Sequence, residues 1–417
     1  MKHLVWRTWK VKVLRELRVR SSGAVDALLY FFRIPPTLPA EAKVTDGLIY
    51  VAELLMARAG RMAKWVTRLS GRKVVLFCHS EGFIPEFADG FTAIVRYRNA
   101  WHLRRLLRAL PRPWLIHGFA PKSHYPDVAR RAMPDVPYVH DLQDTLVVYY
   151  GTAPTKRWLR VELPHEKACM AEADGVIAHS LEPAEGFRRY AIPHDKRPPT
   201  LFFPLYCDDD RFISGVPKIS GTEIHLVYAG GVAGSHRDPR YFGNIQFFGL
   251  IDTLTKQGLH LHIYPSPTTL EADRAEYVEL ARKNERFHYH APVPQEKLAG
   301  ELARYHFGLI PFFVERSDQS PEKLKYATAL KLFNFIESGL PVVVSKDLGF
   351  QSWMAARSAA GVAVGPDDLT GLAALLRTFD TGQVSVGRGD LSLKANVPRL
   401  LEFYDRVSER SRNDQRV

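Results

Sequence analysis

From Gly71 onward the apolar residues fall into short β-rich runs separated by longer amphipathic stretches. Val74 to Cys78 reads as a strand, then Phe91 to Val95, followed by a basic helix around His102 to Leu110. Trp114 to His117 is the next strand, Val128 to Met133 a helix, and Tyr138 to His140 another strand. A helical stretch from Leu159 to Glu172 precedes the strand Gly175 to Ala178. Strands alternating with helices predict a parallel sheet covered on both faces. Before this rhythm begins, Leu48, Val51, Leu55, Met62, Val66 and Leu69 fall largely at three- and four-residue steps. That spacing predicts one amphipathic helix over 46–69. Glu53, Arg58, Arg61, Lys64 and Arg68 interrupt it. It therefore lacks the roughly twenty uninterrupted apolar residues of a membrane-spanning helix.

Residues 193–222 break the pattern with Pro193, Pro198, Pro199, Pro204 and Pro217 and the acidic run Asp208, Asp209, Asp210. Adjacent prolines disfavour helix and stiffen the chain, so a hinge between two domains is predicted here. The alternation then restarts, with strands at Ile224 to Tyr228, Leu259 to Tyr264, Phe287 to His290 and Gly308 to Pro311, and a helix from Leu298 to Arg304. A length of 417 residues suits two domains of about 200 residues each.

Ligands of parallel α/β sheets bind beyond the carboxyl ends of the strands. In the first half, those ends carry His79 and Ser80, His117 and Gly118, His140 and Asp141, and Ser180. Any one alone is a loop hydrogen bond or a helix cap, but four on one rim form a candidate site. In the second half, the strand Ile224 to Tyr228 runs into Ala229-Gly230-Gly231-Val232-Ala233-Gly234. Glycines in that position let backbone amides approach an anion. No Gly-Lys-Ser/Thr follows, and the dinucleotide fingerprint GxGxxG is absent.

The segment Lys331 to Val344, KLFNFIESGLPVVV, is the most informative. On a helix Lys331, Asn334 and Ser338 share one face. Gly339 ends the helix, Pro341 cannot continue it, and Val342 to Val344 open a buried strand. A helix presenting a cation and an amide beside a glycine-rich loop suits a nucleotide diphosphate with its ribose.

Composition removes several classes. The three cysteines are scattered and form no CxxC pair, so neither a disulfide framework nor a zinc site is indicated. Net charge is +12, and half of that excess lies in the first twenty residues: Lys2, Arg7, Lys10, Lys12, Arg15, Arg18 and Arg20 stand against Glu16. Interleaved with Trp6, Trp9 and several leucines and valines, this arm suits an anionic membrane surface, or equally an ordinary element with a solvated basic face. No basic stripe or nucleic-acid module marks the rest of the chain.

The run KLFNFIESGLPVVVS resembles the signature helix and strand of GT-B glycosyltransferases, especially the retaining family-4-like group that builds polysaccharides and lipopolysaccharides. YAGGVAG resembles the group's Tyr-x-Gly loop, and LARYHFGLIPF its helix followed by an apolar strand ending in Pro. YVHDLQD resembles its His-Asp strand end, EKACMAEADGVIAHS the helix and strand closing the first domain, and PLYCDDDRF the linker. The ordered resemblance spans roughly residues 72–410.

The resemblance implies two Rossmann-like α/β domains whose parallel sheets face a central cleft. An acceptor-binding domain would take 1–205, including the arm 1–20 and the helix 46–69. A nucleotide-sugar-binding domain would take 206–395, and 396–417 would cross back to the first. Gly230 and Gly231 would line the donor phosphates, with Lys331 near the diphosphate. Asn334 stands where the family usually has a ribose-binding glutamate, and an amide lacks the charge assistance of a carboxylate. Glu315, four residues after Pro311, falls where the other glutamate of the family's pair is expected, in a longer loop. Glu337 is a further acid nearby. His140 would contact the donor sugar or the acceptor, and Asp141 could orient it or act as a base. His79, Glu81 and His117 are the acceptor candidates. No metal or other cofactor is expected, because no Asp-x-Asp stands at a strand end. The expected activity is transfer of a hexosyl or related group from a nucleotide-sugar, with retention, to a glycan or lipid-linked hydroxyl in surface polysaccharide or glycoconjugate synthesis. The setting would be cytoplasmic, with peripheral contact at the inner face of the plasma membrane. A UDP-sugar epimerase and a non-catalytic binding module on the same scaffold are the alternatives.

Overall fold

A computed structural model describes residues 23–313, 321–381 and 388–414. The basic arm 1–20 and Glu315 lie outside the described residues. Internal contacts divide the chain into two units, Met1–Phe203 with Val397–Val417, and Pro204–Asn396.

The first unit holds seven parallel strands: β1 Leu48–Ala52, β2 Val74–His79, β3 Ala93–Tyr97, β4 Leu115–Phe119, β5 Tyr138–Leu142, β6 Gly175–Ala178 and β7 Thr200–Phe202. Their order across the sheet is β3-β2-β1-β4-β5-β6-β7. The order reverses at β1, which pairs with β2 on one side and β4 on the other. The second unit holds six parallel strands: β8 His225–Gly230, β9 His260–Pro265, β10 Phe287–Tyr289, β11 Phe307–Ile310, β12 Val342–Ser345 and β13 Gly361–Val364. Their order is β10-β9-β8-β11-β12-β13, and the reversal falls at β8, between β9 and β11. Each sheet is therefore doubly wound, with one switch point.

The expected helix over 46–69 is corrected. Residues Leu48–Ala52 form β1, the central strand of the first sheet, and the helix begins only at Ala57 and ends at Ser70. Leu48, Ile49, Tyr50 and Val51 are all fully buried. Burying side chains of this size contributes about 1.5–3 kcal/mol each, and a strand with both faces covered has no amphipathic period to show. Gly71, in the left-handed conformation with φ 68°, closes the helix, its N–H reaching the Thr67 carbonyl at 2.9 Å. The helix's Arg58, Arg61 and Lys64 are buried, so its charged side turns inward.

Inside the second unit, the helix Leu330–Glu337 lies close against β11 because residue 308 has no side chain. A Cβ on Gly308 would fall 2.3 Å from the Phe335 ring. Gly339, with φ 73°, ends this helix and turns the chain into β12. The acidic run after Pro204 serves local structure: the Asp209 carboxylate accepts from Ser392 Oγ and from the Lys394 amide at the start of the final helix, Leu393–Asp414.

Candidate active site

The switch point of the second sheet brings together the carboxyl ends of β8 and β11 and the first turn of the helix Leu330–Glu337. Gly230 closes β8 with φ 150°, a conformation that L side chains rarely adopt. A Cβ there would fall 2.5 Å from Lys331 Cε and 3.0 Å from its Nζ. The lysine thus lies directly over the glycine, and its Nζ stands 5.6 Å from the centre of the Tyr228 ring and 5.3 Å from that of Phe312. Tyr228 is held by its hydroxyl, which donates to the Gly231 carbonyl at 2.9 Å.

Burial lowers the Lys331 pKa from its ordinary value, and no acid offsets that effect. Among the described residues Lys331 makes no hydrogen bond or ion pair. Ala329 at the N-cap supplies no side-chain cap to the first amides of the helix. One turn on, the buried Oδ1 of Asn334 has no hydrogen-bond partner among the described residues. A desolvated cation, a helix start without a side-chain cap and an unsatisfied amide oxygen on one helix match an anion that also carries hydroxyl groups.

Glu337 does not join this group. It is buried, and its Oε1 accepts from the Asp208 amide at 2.8 Å, fastening the segment after Pro204 to the helix. Glu315 lies outside the described residues.

In the first unit, the switch point opens a cavity of about 320 Å³. Glu53 and Leu54 follow β1, His79 and Glu81 end and follow β2, and Ala120 to Lys122 follow β4 around it. His79 and Glu81, both read from the sequence, come together here. The His79 Nδ1 accepts from the Glu81 amide at 3.3 Å, and Nε2 pairs with the Arg98 carbonyl at 3.0 Å, which orients the ring. Lys122 bridges to Glu53 at 2.6 Å across the cavity wall. Neither Glu53 nor Lys122 belongs to a motif that would mark it in the sequence.

His117, His140 and Asp141 do not reach this rim. β4 and β5 each run two residues beyond the expected ends, so all three sit inside strands and are completely buried. His140 Nδ1 pairs with the Tyr138 hydroxyl at 2.7 Å and Nε2 with Ser123 Oγ at 3.2 Å. Burial holds its pKa at about 3, so the ring is neutral. Asp141, on the other face, accepts from Arg58 Nε at 2.9 Å, and His117 Nε2 lies 3.5 Å away. Burial pushes the Asp141 carboxyl up, but the charge of Arg58 and the contact with His117 outweigh it, and the pKa is lowered overall. His117 Nδ1 pairs in turn with the Tyr404 hydroxyl at 2.7 Å, which meets Tyr50 at 3.2 Å. These residues form an interior network joining β1, β4, β5 and the final helix, rather than a ligand surface. Ser180 holds the turn before the helix Glu182–Arg189, its Oγ accepting from the Glu182 amide.

Residues 84–198 match the family described as "Glycosyl transferase 4-like domain", and residues 240–385 the one described as "Glucosyltransferase 3-like, C-terminal domain". The chain belongs to the GT-B glycosyltransferases of the family-4-like group. Solved structures show the same fold for this glycosyltransferase. A glycosyltransferase from Rickettsia africae matches over 87% of this chain and 99% of its own, at 10% identity and a TM-score of 0.61. The catalytic domain of starch synthase IV from Arabidopsis thaliana, bound to ADP and acarbose, matches over 88% and 100%, at 11% identity and a TM-score of 0.55. AviGT4, a glycosyltransferase involved in avilamycin A biosynthesis, matches over 87% and 98%, at 16% identity and a TM-score of 0.52. No curated protein matches the chain.

Proposed function

We propose that this glycosyltransferase moves a hexosyl or related group, with retention of configuration, from a nucleoside-diphosphate sugar to a hydroxyl of a glycan or lipid-linked acceptor. The observation that carries the reading is Lys331, desolvated and without an acid, lying over Gly230 at the switch point of the second sheet. Departure of the nucleotide develops negative charge on the diphosphate, and a preorganised cation and helix start meet that charge in a water-poor site. Asn334 Oδ1 accepts from a ribose hydroxyl in place of the carboxylate usual at this position. The ADP bound in the starch synthase structure, which shares the fold, supports a nucleoside diphosphate as the leaving group.

The acceptor hydroxyl docks at the cavity of the first unit, beside His79 and Glu81. Residues 23–31 are helical and expose Val25, Leu28 and Phe31, with Phe32 and Ile34 just beyond. An apolar face of this kind, next in sequence to the basic residues 1–20, supports peripheral docking on an anionic membrane, where a lipid-linked acceptor of a surface polysaccharide or glycoconjugate pathway would be met. No helix among the described residues is long and apolar enough to cross a membrane.

The test is a turnover assay with a panel of nucleotide-sugars, with and without lipid-linked and soluble glycan acceptors. Nucleotide release that requires acceptor is the expected result. Release of a free sugar without acceptor, or binding with no turnover under any pairing, contradicts the proposal.

A further inference from the structure

The strands β8, β9 and β10 bring five histidines to one face of the second sheet. His225 and His260 are register partners across β8 and β9, and His262 and His288 are partners across β9 and β10, with His290 two residues further on. The alternate residues Leu226, Leu261, Ile263 and Phe287 lie in the apolar core. A face of a doubly covered parallel sheet is ordinarily apolar. Half-buried imidazoles in that place need partners, and they find them in one another.

His225 Nδ1 lies 2.9 Å from His262 Nε2, and His262 Nδ1 lies 3.0 Å from His290 Nε2. His260 Nδ1 lies 3.0 Å from His288 Nε2. Each of these N···N contacts needs one ring nitrogen that donates and one that accepts. Neutral rings have one donor and one acceptor nitrogen each, so the protons along each chain run in a single direction. In one direction the rings carry protons on Nε2, and His260 donates to Glu223 Oε2 at 2.8 Å. In the other they carry protons on Nδ1. His260 then turns a bare Nε2 lone pair toward the Glu223 carboxylate, and those two acceptors repel unless a cation lies between them.

One ligand atom each from Glu223, His225 and His260 already lie within 4.8 Å of one another. A tetrahedral zinc ion with bonds of about 2.0–2.1 Å needs ligand atoms roughly 3.4 Å apart, a value bracketed by the 2.8 Å between His260 Nε2 and Glu223 Oε2 and the 4.8 Å within which all three atoms lie. Arg286, 4.0 Å from Glu223 Oε1, is the other cation near this carboxylate, and it does not touch Oε2.

We propose that Glu223, His225 and His260 bind a divalent cation of the zinc class, with water as fourth ligand. His262 and His288 accept the Nδ1 protons of the two ligating rings and so hold their orientation, as outer-sphere partners of metal-bound histidines do. Two imidazoles and one carboxylate suit a borderline ion better than calcium or magnesium. The site is separate from the donor site. It lies at the amino end of β8, and five residue steps of about 3.3 Å place it roughly 16 Å from Gly230. Its effect is to tie β8 to β9 where the second sheet begins.

The full-length protein, stripped with chelator, is titrated with Zn²⁺ against a chromophoric competitor and with Co²⁺ by visible absorption. One equivalent per chain is expected, with the intense absorption of four-coordinate cobalt and a raised thermal midpoint with zinc. Glu223→Gln, a change at an exposed side chain, lowers zinc affinity at least tenfold, and His260→Asn abolishes the cobalt band. His262→Asn and His288→Asn weaken binding about 10- to 100-fold. Nucleotide binding at the far end of β8 verifies that each variant is folded. Absence of stoichiometric binding in the parent protein, or binding unchanged in both Glu223→Gln and His260→Asn, overturns the proposal.

Discussion

Lys331 lies so close over Gly230 that a single methyl group on residue 230 would come within 2.5 Å of its Cε. Two independent demands meet at this glycine, a φ of 150° and room for the lysine stem. Gly230→Ala is expected to cost about 1–3 kcal/mol of stability from backbone strain alone, with the clash added. Combining it with Lys331→Ala removes the clash but not the strain. The double variant should therefore be less destabilised than the sum of the singles, by roughly 0.5–3 kcal/mol as for other residues in contact. Denaturant unfolding of the four proteins measures this, and strict additivity would show that the two residues do not touch.

Asp141 is expected to act through stability rather than through chemistry. Removing one partner of a buried ion pair costs about 3–5 kcal/mol, because the other charge is left without compensation. Asp141→Asn should lower the melting temperature of the protein while leaving the acceptor KM of the folded fraction unchanged. The folded pKa of Asp141 lies below its unfolded value. Its contribution is therefore present above the unfolded pKa and lost as pH falls through the folded one. The parent should lose more stability than Asp141→Asn on acidification below about pH 4, the range of an unperturbed aspartate. A variant of undiminished stability that fails only in turnover would restore the catalytic reading.

The cavity beside β1, β2 and β4 gives a separable prediction. Glu81→Ala should raise the acceptor KM several-fold while nucleotide affinity stays constant, because Glu81 lines the cavity in the first unit and Lys331 belongs to the second. Steady-state kinetics with donor and acceptor varied in turn separates the two. Equal effects on both substrates would place the acceptor elsewhere.

The two parallel sheets, the glycine turn after β8 and the helix bearing Lys331 were legible because each has a local signal. β1 was not. Leu48, Ile49, Tyr50 and Val51 are apolar on both faces, so helical steps can be drawn through them as readily as strand positions. Polar residues suggest strand ends, so the sequence puts His117, His140 and Asp141 on the rim. In the fold, those residues satisfy one another inside the sheet, so polarity did not mark the strand ends. Asn334 and Lys331 share a helical face that spacing alone gives. That Lys331 rests beside Tyr228 and Phe312 depends on the order of strands, which no local pattern carries. The same holds for the histidines of β8, β9 and β10, which become neighbours only through register.

Burial lowers the pKa of Lys331, so its ammonium form is lost at a lower pH than that of an exposed lysine. Because the diphosphate binds the charged form, nucleotide affinity should fall as pH rises through this lowered pKa, before the ordinary lysine value near 10.4 is reached. Lys331→Met should bind weakly at every pH and show no such fall. Calorimetric titration across the alkaline range checks both.

The most direct measurement is the affinity of the parent protein and Lys331→Met for UDP, GDP, ADP and CMP at neutral pH. Methionine keeps an apolar stem beside Tyr228 and Phe312 and removes the charge. One nucleoside diphosphate should bind the parent. Charge-assisted contacts are worth about 1.5–3 kcal/mol, so Lys331→Met should weaken it roughly 10- to 150-fold, with the thermal midpoint of the ligand-free protein unchanged or raised. Nucleotide binding of equal strength in the two proteins would contradict the assignment of the donor site to Lys331.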